Sequence, residues 1–249
     1  MDEQQAAAMI AKAQHRPIID VQNVKKIYRV GEVKIRALDG ISLTIDKGEF
    51  ACIIGRSGSG KSTLLNMMAG LEAINSGQII ISGKHIERMT EAELIEFRQQ
   101  QIGFVFQSFN LLPHYTAQEN VALPLMFRGI GRAERSRRAR EALRLVGLST
   151  HRHHTPMQMS GGQQQRVGIA RALVGNPAIV FADEPTGNLD SKTSNEIMEL
   201  LLEIAQQRRT TFVMVTHDPN MAAYADKTIN VLDGKATGIS YKNAETTEV

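Results

Sequence analysis

Phe50-Ala51-Cys52-Ile53-Ile54-Gly55-Arg56-Ser57-Gly58-Ser59-Gly60-Lys61-Ser62-Thr63 decides the fold. Five apolar residues read as a buried strand. A glycine loop follows, and Thr63-Leu64-Leu65-Asn66-Met67-Met68-Ala69 then reads as helix. Strand, glycine loop, helix is the setting of a phosphate-binding P-loop. Glycines let backbone N–H groups wrap an anion with no Cβ in the way, and the following helix aims its positive end at the same point. In such a loop Lys61 reaches the β- and γ-phosphates, and the Ser62 hydroxyl ligates Mg²⁺. A mere turn between strand and helix needs neither the lysine nor the serine.

The 249 residues suffice for one large domain or two lobes. With Cys52 as the one cysteine, no internal disulfide can form, which fits a reducing compartment. No apolar run approaches the ~18 residues of a membrane span, and the first residues lack the basic and apolar regions of a signal peptide. A net charge of +3 is too small to argue for nucleic acid, and the absence of Trp leaves few base-stacking platforms.

Working outward from the loop, Ile18–Tyr28, Leu38–Ile45 and Gln78–Ile86 read as strands of a flanking β-subdomain. Ile102–Gln107 is a further short strand. From Gln118 to Asn176 the pattern is mostly helical, punctuated at Pro124, Gly129, Gly147 and Pro156. Ala178–Ala182 and Thr211–Val215 are short continuous apolar runs, as parallel strands buried on both faces require. Between them Ile197, Leu200, Leu201 and Ile204 recur at helical spacing, giving a β-α-β unit. These elements predict an extension over residues 1–17 (frayed or a short helix), a nucleotide-binding domain over 18–237 with a helical subdomain at about 108–176, and a loose polar tail over 238–249.

Ile179-Val180-Phe181-Ala182-Asp183-Glu184 ends an apolar strand in a carboxylate pair, at the sheet edge where open α/β folds bind ligands. There Asp183 can hold the Mg²⁺ hydration shell, and Glu184 can orient or deprotonate an attacking water. In Met159-Ser160-Gly161-Gly162-Gln163-Gln164-Gln165-Arg166, Ser160 reads as an N-cap, and the helix Gln163–Val174 follows. Gly161 and Gly162 expose N–H groups at that start, a second anion seat.

Together these segments resemble the ABC ATPases over roughly residues 18–236. Met159 stands where the family's signature loop usually has Leu, a swap of similar volume. The resemblance implies an α/β P-loop NTPase core with an antiparallel β-subdomain and a helical subdomain. It also implies that Tyr28 stacks on adenine, that Gly55, Ser57, Gly58, Ser59, Gly60, Lys61, Ser62 and Thr63 cradle the phosphates, and that Ser62, Gln107 and Asp183 serve Mg²⁺. Gln107, Glu184 and His217 are the implied catalytic set, with His217 contacting the γ-phosphate. Asp190 is implied at a dimer seam, and it also suits the cap of the helix from Ser191. In the implied mechanism ATP on one chain's P-loop is clamped by Ser160, Gly161, Gly162 and Gln163 of a second chain.

Pro185-Thr186-Gly187-Asn188-Leu189-Asp190, with Gly162-Gln163-Gln164-Gln165-Arg166, is similar to the lipoprotein-release, macrolide-export and cell-division ATPases. That similarity implies a homodimer in the ATP-bound state at the cytoplasmic face of the membrane. Its partner would be a separate integral-membrane permease with a large extracytoplasmic domain, serving export, extraction or mechanical signalling. A regulatory cell-division ATPase, a soluble ABC ATPase acting on ribosomes or DNA, and an importer subunit are the alternatives, and no specific nucleic acid is expected. Two further features read blandly. His151-Arg152-His153-His154 suggests a solvated loop rather than a metal site. The arginines at 128, 132, 135, 137, 138, 140 and 144 suggest a solvated helix face rather than a lipid contact.

Overall fold

Alternate residues of the apolar strands go to opposite sides of one sheet, and that alternation builds the molecule. The computed structural model describes residues 17–242 and 247–248; the extension expected over 1–17 lies outside them except for its last residue. Strands β1 (Ile19–Val30), β2 (Val33–Ile45), β4 (Ser76–Ile81) and β5 (Lys84–His85) form an antiparallel sheet in the order β2-β1-β4-β5. Strands β3 (Phe50–Ile54), β6 (Ile102–Val105), β7 (Ile179–Asp183), β8 (Thr211–Thr216), β9 (Lys227–Leu232), β10 (Lys235–Tyr241) and β11 (Thr247–Glu248) form the second sheet. Its order is β11-β10-β9-β3-β8-β7-β6, parallel from β9 to β6.

Phe50 and Cys52 of β3, Val180 and Ala182 of β7, and Phe212 and Met214 of β8 face one core. Ala51, Ile53, Ile179, Phe181, Val213 and Val215 face the other. The first core is closed by helices α3 (Ala117–Phe127), α4 (Arg132–Leu145), α5 (Gly161–Leu173) and α6 (Ser191–Arg208). The second is closed by α1 (Lys61–Met68), by α2 (Glu91–Gln101) through Phe97, and by the antiparallel sheet. The short α7 (Pro219–Ala222) follows β8.

Several boundaries differ from the sequence reading. The run 78–86 is broken at Ser82 and Gly83, both at positive φ, which makes a tight turn between β4 and β5; Ile86 opens a 3₁₀ turn. β2 begins at Val33, ahead of Leu38, because Val33 and Ile35 pair with β1 although exposed. β6 stops at Val105, so Gln107 sits in the turn beyond it. Pro124 lies inside α3 and does not end it. Residues 238–241 are paired in β10 and 247–248 pair with that strand, so the tail expected from 238 is partly sheet.

Candidate nucleotide site

Register places the chemistry. Ile54 of β3 is level with Thr216 of β8, and Val215 of β8 with Asp183 of β7. The residues that follow, Gly55, His217 and Glu184, therefore leave the sheet side by side at its carboxyl edge.

The loop from Gly55 wraps Lys61, which is only 5% exposed and donates to Gly55 O (2.8 Å) and Arg56 O (2.9 Å). The loop's own carbonyls thus hold the ammonium at the mouth of α1. Gly60 is the N-cap of α1, at φ +100, and offers no side-chain cap to the first N–H groups. Those donors are left for an anion. A Cβ at Gly60 would collide with the Ala37 carbonyl oxygen, so the position admits only glycine. Ser57 is exposed on the loop. Ser59 is buried, its hydroxyl has no partner, and its N–H turns to Arg56 O (3.2 Å).

Ser62 Oγ donates to Asp183 Oδ1 (3.0 Å). Burial is the main cause that raises the Asp183 pKa, with the Ser62 bond opposing it. A hydroxyl and a carboxylate in contact are oxygen donors of the kind Mg²⁺ takes, with substrate phosphates completing its sphere. Glu184 sits at φ +45, an unusual backbone for this residue, held by its N–H to Val215 O (3.0 Å) and by Gly187 N–H to its carbonyl (3.0 Å). Its Oε2 meets His217 Nδ1 at 2.6 Å. A cavity of about 380 Å³ opens beside the pair, lined also by Thr186, Ser194 and Asn220. Gln107 exchanges contacts with Asn188, through Nε2 to Oδ1 (3.4 Å) and back from Nδ2 to its carbonyl (3.1 Å).

At the start of α5, expected from the sequence to be a second anion seat, Ser160 and Gln163 form a reciprocal capping box. Met159 is buried in the core. The helix opens at Gly161, two residues before the Gln163 start read from sequence. Gln163 Oε1 accepts from Ser160 N–H (3.0 Å), which turns Nε2 toward His151 Nε2 (3.3 Å). Half of the expected solvated loop is therefore a brace. His151 and His154 are half-buried with rings 5.0 Å apart, and Arg152 and His153 are exposed. Among the described residues no cluster of three His, Cys, Asp or Glu could hold a metal. Asp190 caps α6, accepting from Thr193 N–H (3.0 Å) and Thr193 Oγ1 (2.7 Å), and these bonds lower its pKa.

On β1, Tyr28 donates its hydroxyl to Glu72 Oε2 (2.8 Å); burial, then this bond, raise its pKa. Of the basic run, Arg137 and Arg138 pair with Glu134, while Arg128 donates to Gly175 O. Sequence reasoning missed Asn188 as the partner of Gln107, His151 as the partner of Gln163, and Glu72 as the partner of Tyr28. The last two pairs are 12 and 44 residues apart, so no local pattern could have found them.

A model of the ABC transporter family matches residues 38–187. The chain belongs to that family. Its ATP-hydrolysing cassette is similar to the lipoprotein-releasing system ATP-binding protein LolD of Geobacter metallireducens, 45% identical over 88% of this chain and 97% of the relative. It is also similar to the macrolide export ATP-binding/permease protein MacB of Chlorobaculum tepidum, 48% identical over 87% of this chain but only 33% of that longer relative. Among solved structures, a dimeric ATP-binding cassette in a post-hydrolysis state bound to ADP and Pi matches at TM-score 0.84. It is 43% identical, and the match covers 91% of this chain and 100% of that one. These relatives place the cassette in the macrolide-export and lipoprotein-release subgroup. No helix among the described residues is long and apolar enough to cross a membrane.

Proposed function

We propose that this cassette dimerises on ATP and drives a separate membrane permease from the cytoplasmic face, for export or extraction. One observation carries the reading. The hydrolytic edge is assembled within one chain, in the Ser62–Asp183 and Glu184–His217 contacts, while the Ser160–Gly162 anion seat opens from α5 and packs on the first turn of α6. Two copies arranged head to tail would each close the other's phosphate site.

In this reading Tyr28 is the base platform, Gly55–Thr63 cradle the phosphates, and Ser62, Asp183 and Gln107 hold Mg²⁺, which neutralises phosphate charge when bound. Glu184, on its strained backbone, takes the proton of the attacking water. His217 steers that carboxylate and faces the γ-phosphate. Positioning and electrostatics supply most of the acceleration. Asp190 sits at the seam between copies as well as capping α6.

A cleft between β6, α3 and α5 supports a protein partner. Phe104, Phe106, Leu123 and Phe127 line it, Arg128 and Arg171 rim it, and Phe127 is 67% exposed. An apolar surface of this kind marks an interaction site, and a cytoplasmic segment of the permease suits it. The similarity to the export and release ATPases supports a permease whose large extracytoplasmic domain moves as the cassettes close.

The test is to tag the Glu184→Gln protein, add Mg-ATP and purify it from detergent-solubilised host membranes. Slow hydrolysis, an ATP-locked dimer and a co-purifying polytopic protein are expected. Rapid turnover would refute the role of Glu184. A bare dimer, or one carrying ribosomes or DNA, would refute membrane coupling.

A further inference from the structure

Tyr28 does not stand alone on β1. Lys26 lies two residues away on the same face of the strand, and Glu72 reaches both from the turn after α1. The two carboxylate oxygens of Glu72 are divided between them. Oε2 accepts from the Tyr28 hydroxyl (2.8 Å), and Oε1 pairs with Lys26 Nζ (2.9 Å). Lys26 Nζ also donates to Ala73 O (2.6 Å) and lies 5.2 Å from the centre of the Tyr28 ring, within cation–π range. Thr63, the last residue of the phosphate loop motif, lies beside the Tyr28 hydroxyl and favours its charged form. The Lys26 side chain is 13% exposed and that of Glu72 30%, so the pair is better shielded than an ordinary surface ion pair.

We propose that Glu72 and Lys26 are positioning residues that hold Tyr28 as a one-faced platform for the nucleotide base. The hydroxyl is tethered at the ring's far end, and the ammonium covers one face. One face is left for a flat aromatic ligand, and the ring is immobilised before that ligand arrives. Preorganisation of this kind improves affinity by removing an ordering cost from the binding step. It acts on the base alone, because phosphates are bound by the loop and by α1. The inference rests on the reading of Tyr28 as the base platform.

Titration of the purified full chain with ATP and, separately, with inorganic tripolyphosphate tests it. Glu72→Ala should weaken ATP binding about two- to tenfold, the scale of one aromatic side chain that must be ordered on binding. Tripolyphosphate binding should be unchanged. Tyr28→Ala should weaken ATP binding at least as much, and Glu72→Ala should add nothing in the Tyr28→Ala background. Lys26→Met, which keeps the apolar stem, should show the same ligand split and stands in if Glu72→Ala fails to fold. If Tyr28→Ala weakens ATP while Glu72→Ala and Lys26→Met do not, the positioning role is overturned and the base platform survives. If Tyr28→Ala leaves ATP binding intact, the platform itself is refuted. Equal weakening of ATP and tripolyphosphate would place the effect at the phosphate loop through Thr63, and overturn the proposal.

Discussion

Gly162→Ala should change the sign of its effect on stability when one methyl group is removed elsewhere. A Cβ at Gly162 would lie 2.6 Å from Thr193 Cγ2, about 1 Å inside the carbon–carbon optimum. Thr193 cannot swing aside freely, because its Oγ1 donates to Asp190 Oδ2 (2.7 Å) and its N–H to Asp190 Oδ1 (3.0 Å). Overpacking of this kind costs about 1–3 kcal/mol. Against it, alanine in place of glycine in α5 gains up to about 1 kcal/mol of helix stability. The net expectation is about 1 kcal/mol of destabilisation, or a fall in Tm of about 2–4 °C for a chain of this size. Thr193→Ser removes the methyl and keeps the hydroxyl bond to Asp190. In that background only the helical gain remains, so Gly162→Ala should raise Tm. The assay is thermal unfolding of the four proteins without nucleotide. A shift of the same sign and size in both backgrounds would refute the steric account.

Gly60→Ala, forced into φ +100 against the Ala37 carbonyl, should cost at least about 2 kcal/mol, read as a large drop in Tm. Burial pushes the Cys52 thiol up to about 12, so a thiol reagent at pH 8 should leave the native protein unmodified and label it in denaturant. Burial raises the Asp183 pKa in the folded state, so its contribution to stability is full below the ordinary carboxylate range and is lost as pH rises through the raised value. Nucleotide-free Asp183→Asn protein should therefore melt above wild type at pH 7, with the gap closing toward pH 3; a constant gap would contradict this assignment.

What the sequence makes legible is whatever a short window determines. The apolar run Phe50–Ile54 and the glycines after it specify strand, loop and helix together, and Ser160 announces a cap because the helix it serves begins within the next turn. The continuous runs ending at Ala182 and Val215 can be read as doubly buried strands because neither face tolerates a charge. Legibility fails where partners are far apart or where pairing overrides pattern. Val33–Ala37 carries Lys34 and Arg36 yet is strand, because β1 supplies its hydrogen bonds. Residues 238–241 look like tail but lie within the sheet, between β9 and β11. The unusual backbone of Glu184 is held in part by a bond to Val215 on the neighbouring strand, 31 positions away, and that half of its support is not encoded in any local propensity.

The division of β3, β7 and β8 between two unlike cores also acts as a check on alignment. Phe181 and Ala182 are neighbours that fill spaces of very different size on opposite sides. Sliding β7 by one residue would push a ring into a slot shaped for a methyl, leave a void behind, and carry Asp183 away from Ser62 at the same stroke. Misthreaded chains are thus penalised in both compartments at once, and a chain that packs correctly has already set its reactive edge to within a single residue.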